Sequence, residues 1–244
     1  MSQQTVLNIS PRERLRAKLA DRQLVMGVVC TFPSADAVEF LGGLDFDFVL
    51  IDCEHGGPDS GGVIEMARAA RASRYASLLR PWSTEPGLMR RFIDCGVDGI
   101  LVPGLESANQ VRVLSAAIAA ADPPDAASFI LGGLIETAAA CAALRGICAA
   151  PGLDLAMLGP SDLAVSLGYP RRGDTAKVTE MILEAVETAR NSNMSIGAPA
   201  SRFGPELLLS KGANILVYSL AELIKDGAGL HQARAKAAAE NCPC

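Results

Sequence analysis

Four polar clusters each close a short apolar run: Asp52-Cys53-Glu54-His55, Arg80-Pro81, Glu136-Thr137 and Gly159-Pro160-Ser161-Asp162. Two carboxylates from separate runs, Glu136 and Asp162, completed by water and substrate oxygens, form an oxygen site suited to Mg2+ or Mn2+, with no cysteine or histidine needed. A 2-oxo acid can chelate such an ion through its carboxylate and ketone oxygens, and the ion then stabilises an enolate as a Lewis acid. Arg80 adds a planar cation beside those oxygens. His55 is the candidate for moving a proton near neutral pH. The other histidine, His231, falls in the final helical segment and reads as a solvent-facing or packing residue. Each cluster also has a plainer reading: Asp162 could cap a helix, Glu136 could begin one, and Arg80 could pair with a neighbouring acid. Cys53 could be a thiol nucleophile, but a buried free cysteine is more commonly a small hydrophobe. Recurrence at four run ends favours the chemical reading.

Such groups act together only if the chain delivers them to one place. Eight apolar runs rich in branched residues alternate with longer helical patterns, as βαβ units around a parallel sheet require. The strand candidates are LVMGVVCT from Leu24, FDFVLIDCE from Phe46, YASLLRP from Tyr75, GILVPGLE from Gly99, FILGGLIE from Phe129, LDLAMLGP from Leu153, SIGAPA from Ser195 and NILVYSL from Asn214. After Ser10-Pro11, RERLRAKLADRQ reads as a leading helix, with serine as its cap and proline in its first turn. Eight units without a linker or low-complexity insert favour an α/β chain folded as one (β/α)8 TIM-barrel domain over residues 1–244, rather than an open doubly wound sheet. In a barrel the chemistry sits where the strands end, and the four clusters fall there. No glycine-rich dinucleotide or nucleotide-phosphate motif occurs, and no repeat beyond the unit itself.

Composition narrows the class further. The 244 residues are half hydrophobic, with a formal net charge of -5. That balance offers no basic stripe for nucleic acid, and the longest cationic cluster is the short Pro170-Arg171-Arg172 segment. No apolar stretch approaches the roughly 20 residues of a membrane span, and the start MSQQTVLNISPRERLRAK lacks the apolar core of a signal peptide. Seven cysteines without paired metal spacing, including Cys242-Pro-Cys244, fit a reducing compartment, so a cytoplasmic protein is expected.

The motifs resemble those of the HpcH/HpaI aldolase family, the metal-dependent pyruvate aldolases related to 2-dehydro-3-deoxyglucarate aldolase. GLDFDFVLIDCEHG, LLRPWSTEPGLMRRFIDCGVDGILVP, LIET and MLGPSDLAVSLGYP carry the resemblance in order along nearly the whole chain. It implies Glu136 and Asp162 as metal ligands, Arg80 on the oxo-acid oxygens, and His55 as acid/base with Asp52 close by. It further implies that Asp94 orients the His55 imidazole, that Glu54 lies near the metal's water shell, and that the backbone at Gly159, Pro160 and Ser161 cradles the substrate carboxylate. From the residues alone, Asp94 reads as an ordinary helix residue. The resemblance also implies a homo-oligomer, a hexamer being one such form, and the apolar final helix is compatible with subunit packing.

Three departures concern the second substrate. Leu134 stands where the family usually has glutamine, a strand-end tryptophan is replaced around Val29, and the long arginine- and glycine-containing segment after the fourth strand is missing. The leading expectation is a class II aldolase that joins or separates a 2-oxo acid and an aldehyde. An alternative is a citrate synthase of siderophore biosynthesis, in which oxaloacetate is the electrophile and acetyl-CoA the partner. A third is a silent metabolite-binding protein, against which His55 argues, because binding alone needs no proton-transfer group.

Overall fold

The computed structural model describes residues 9–121, 128–171 and 175–240; Arg172 and the Cys242-Pro-Cys244 terminus lie outside them. In chain order the elements are α1 (Pro11–Ala20), β1 (Val25–Cys30), α2 (Ala35–Leu41), β2 (Phe48–Asp52), α3 (Ser60–Ala72), β3 (Ala76–Arg80), α4 (Pro86–Asp94), β4 (Gly99–Val102) and α5 (Ala108–Ala121). There follow β5 (Ile130–Ile135), α6 (Ala138–Cys148), β6 (Leu155–Leu158), α7 (Pro160–Ser166), α8 (Ala176–Asn191), β7 (Ser195–Pro199), α9 (Ala200–Phe203), α10 (Pro205–Lys211), β8 (Ile215–Ser219) and α11 (Leu220–Glu240). Every strand pairs in parallel with the next, and β8 pairs with β1, so the sheet closes into the expected barrel. The strands are shorter than the apolar runs because each run spills into a turn. Two short helices, α7 and α9, begin at Pro160 and Ala200, the last residues of the runs read as β6 and β7.

Alternation along each strand splits the core into two layers. Phe48, Leu50, Leu78, Leu101, Leu134 and Met157 belong to the cluster inside the barrel, whereas Val49, Ile51, Leu79, Ile100 and Ile135 pack between sheet and helices. Leu15 and Leu19 of α1 join the inner cluster, so this helix closes the end at which the strands begin. A full capping box fixes its start: Ser10 accepts from the Glu13 N–H, and Glu13 accepts from the Ser10 N–H.

The same end carries a regular set of polar anchors. Asp47, Asp98 and Asp154, just before β2, β4 and β6, accept from the N–H groups of Met26, Ser77 and Leu131, each at 2.9 Å. Asn214, just before β8, accepts from Ile196 N–H at 3.1 Å. Thus each even-numbered strand begins by tying down the odd-numbered strand before it. From α1, Lys18, Arg12 and Arg16 pair with Asp47, Asp98 and Asp154 at 2.6, 3.3 and 3.2 Å. At the other extreme of the chain, α11 buries only Leu220. Among the described residues no helix is long and apolar enough to cross a membrane.

Candidate active site

Asp52 and Arg80 occupy paired positions on β2 and β3. Their side chains form a two-point ion pair, with Arg80 Nε 2.9 Å from Asp52 Oδ1 and Nη2 2.5 Å from Oδ2. Arg80 Nε also faces Glu54 Oε2 at 3.3 Å. Burial alone would push Asp52 up, but Arg80 and the N–H groups of His55 and Glu54 outweigh it and hold Asp52 below the usual carboxylate range. Burial would likewise lower Arg80, yet Asp52, Glu54 and Glu136 keep it raised.

Glu136 follows β5, two positions beyond Leu134 and so on the same face, with Leu134 forming an apolar layer beneath it. Its Oε1 accepts from Gly104 N–H at 2.7 Å. Gly104 reaches that geometry at φ +61°, a left-handed conformation suited to glycine. Burial is the main reason Glu136 is raised above the ordinary range; Gly104 opposes this, while the charges of Asp162 and Glu54 add to it. A Cβ on Gly159 would lie 2.7 Å from Glu136 Cβ and 2.8 Å from Oε2, so the carboxylate occupies the space that a larger residue would fill.

Asp162 is in the first turn of α7. That helix is held beside the start of α6 by Ser166 Oγ, which accepts from Ala138 N–H at 3.1 Å. Asp162 Oδ2 is 4.0 Å from His55 Nε2. Its Oδ1 is 2.8 Å from Nη2 of Arg171, whose guanidinium also contacts His55 Nε2. Arginine can only donate, so any hydrogen bond in that contact runs from Arg171 to the His55 ring nitrogen.

The structure therefore gathers Asp52, Glu54, His55, Arg80, Glu136 and Asp162 at one mouth and adds Arg171, which the sequence showed only as part of a short basic segment. It does not bring Asp94 to them. Asp94 is exposed in the last turn of α4, where Phe92 and Ile93 take the buried face, and His55 meets Asp162 and Arg171 instead. The expected backbone cradle also narrows. Gly159 N–H is spent on Ile135 O at 3.1 Å and Pro160 has no N–H, which leaves Ser161 as the donor of the three. Cys53 packs in the outer core, and burial, helped by the Asp52 charge, pushes its thiol to about 12, so it stays an inert hydrophobe. His231 is exposed on α11.

Among the described residues no group of three or more His, Cys, Asp or Glu side chains could hold a metal ion. An ion held by Glu136 and Asp162 would find its remaining ligands in water and substrate.

Residues 30–202 match the HpcH/HpaI aldolase/citrate lyase family. A pyruvate aldolase of Rhizobium etli is 28% identical over 220 residues, covering 80% of this chain and 84% of its own. A 2-dehydro-3,6-dideoxy-6-sulfogluconate aldolase of Pseudomonas putida is 30% identical over 190 residues, covering 67% and 73%. Among solved structures, the citrate synthase SbnG superposes with a TM-score of 0.80 at 20% identity over 93% of this chain and 99% of its own. A HpcH/HpaI aldolase/citrate lyase family protein from Burkholderia cenocepacia gives 0.79 at 21% identity over 93% and 98%. At those identities the two structures speak to the fold alone. The family match extends from the end of β1 to α9, across every strand end that carries a charged cluster, and the chain belongs to the HpcH/HpaI aldolase/citrate lyase family.

Proposed function

We propose that this chain is a carbon-carbon lyase acting on a 2-oxo acid, pyruvate or oxaloacetate, with a divalent cation on Glu136 and Asp162. The observation that supports it most is the charge at the mouth. Among the described residues Asp52 and Glu54 pair with Arg80 and Asp162 pairs with Arg171, while Glu136, bonded to Gly104 N–H, is raised by burial and by its acidic neighbours. A donor set of hard oxygens short of two positive charges fits Mg2+ or Mn2+. Bound there, the ion would supply Lewis-acid stabilisation of the charge that develops on the oxo-acid oxygens.

The rest falls to the chain's own residues. Arg80, fixed by Asp52, presents its remaining donors to the carboxylate or ketone oxygen, and Ser161 N–H adds a further donor. His55, once its Nε2 is clear of Arg171, takes the proton from C3 of the oxo acid when a bond is formed there and returns it after cleavage. Leu134 lines the base of the site and keeps water from beneath the reacting carbon.

Proton exchange at C3 of pyruvate in D2O, followed by NMR with Mg2+ or Mn2+, tests the reading without a second substrate. Glu136→Gln and Asp162→Asn should each slow exchange at least about a hundredfold while thermal melting stays cooperative; a loss of roughly 3 kcal/mol of charge stabilisation gives that factor. Wild-type rates in either variant would sink the assignment. Product analysis by mass then separates partners: pyruvate with short aldehydes should give hydroxy-oxo acids, and citrate from oxaloacetate plus acetyl-CoA as the only product would make the oxo acid the electrophile instead.

A further inference from the structure

Arg171 has no role in the mechanism above, yet the fold returns it to the centre of the mouth. After α7, Leu167 and Gly168 N–H close the helix onto Leu163 and Val165 O, and Tyr169 N–H turns back to Ala164 O. The chain then passes Pro170 and places Arg171 over the helix's own first turn, with Nη2 2.8 Å from Asp162 Oδ1 and the guanidinium against His55. The two basic side chains of the site differ in depth: the Arg80 side chain is 15% exposed and Arg171 50%. Arg80 is also committed to Asp52 through two nitrogens, whereas Arg171 meets Asp162 and His55 through Nη2 alone.

We propose that Arg171 binds a carboxylate on the second substrate, so that the aldehyde which this enzyme releases or accepts is an anion. The inference rests on the lyase reading given above. The oxo acid occupies the inner position beside Arg80 and Glu136, and its partner must approach from the opening, where Arg171 lies. When Asp162 turns to a divalent cation, the guanidinium loses the carboxylate it now holds and is left free to take another in much the same place. Its contacts with Asp162 and His55 place Arg171 beside the residues assigned to the metal and the proton, so a short aldehyde carrying a carboxylate is the fitting probe. In the cleavage direction His55 takes the proton of the C4 hydroxyl of a 4-hydroxy-2-oxo acid, the C3–C4 bond breaks with its electron pair passing to C3, the aldehyde leaves, and His55 returns the proton to C3. The group Arg171 holds is on the C4 side.

Glyoxylate and acetaldehyde, two-carbon aldehydes with and without a carboxylate, are suitable probes with pyruvate and Mn2+. Their difference in intrinsic reactivity cancels when one protein is compared with another. Arg171→Ala should lower the glyoxylate-to-acetaldehyde ratio of kcat/KM by about 10- to 100-fold, the range expected when a charge-assisted hydrogen bond is lost, and Arg171→Lys should recover part of it. A ratio within twofold of wild type in Arg171→Ala would overturn the proposal. A second readout needs no turnover: calorimetric titration of Mn2+ into the metal-free proteins. Arg171→Ala should bind Mn2+ about three- to tenfold more tightly, because no cation has to leave Asp162 first, and equal or weaker binding would count against the exchange of partners. Failure of the parent reading looks different, as wild type would then show no Mn2+-dependent exchange at pyruvate C3. Exchange with an unchanged aldehyde ratio would remove Arg171 alone.

Discussion

Asp52 and Arg80 serve the site and the sheet with the same bonds, since they are register partners on adjacent strands as well as neighbours at the mouth. Asp52 is almost fully buried, and removing its charge would leave the Arg80 guanidinium without its two-point partner. Asp52→Asn should therefore destabilise the protein by about 3 kcal/mol at neutral pH, the scale for breaking a buried pair. The folded state holds Asp52 below the carboxylate range, so its stabilisation is complete above the unfolded value of about 3.9 and is lost as the pH falls through the folded one. Urea midpoints of wild type and Asp52→Asn should differ fully at pH 7 and draw together below about pH 4. A gap that does not narrow would mean that the aspartate acts through shape rather than charge.

At the scale of elements, the anchors before the even-numbered strands explain how eight short strands keep a common register. Asp98 illustrates their two parts: it accepts from Ser77 N–H, and it pairs with Arg12 of α1. Asp98→Asn keeps an acceptor and loses the charge, whereas Asp98→Ala also strands a buried N–H. The alanine variant should cost about 1–3 kcal/mol and the asparagine variant less, measured by chemical denaturation. Equal losses would place the whole effect in the ion pair. This ring was not legible in the chain, because Asp47, Asp98, Asp154 and Asn214 are about 50 to 60 residues apart and join into a pattern only once the register is known. The strands were legible, since Val, Ile and Leu runs between turn residues are long enough to read. Seven-residue α7 was not, being too short for helical periodicity to rise above its Gly159-Pro160 start. Arg171 was hidden for the same reason, as only the turn after α7 carries it back to Asp162. The charged run ends Asp52, His55, Arg80, Glu136 and Asp162 stood out because a carboxylate or cation at the end of a buried strand is costly without a partner. Asp94 could be placed only from the helix face it occupies.

Across the whole molecule, stability and chemistry are segregated to opposite ends of the barrel. Leu15, in α1, is buried against the inner leucines, far along the strands from Glu136 and Asp162. Leu15→Ala should cost about 3 kcal/mol through the cavity it leaves, and lower the Tm by about 6–12 °C in a chain of this size. The KM for the oxo acid at 25 °C should stay the same; a raised KM would show that packing at the closed end reaches the mouth.

The filled interior of the barrel has a kinetic consequence. Below Glu136 the barrel is filled by its own side chains, with Leu134 the nearest layer, so whatever enters by the mouth must leave by it. On the proposed reading, the fragment held deeper, beside Arg80 and Glu136, departs after the outer one beside Arg171. For the lyase proposed above this orders release, with the aldehyde first and the oxo acid last, and in the direction of synthesis the order reverses.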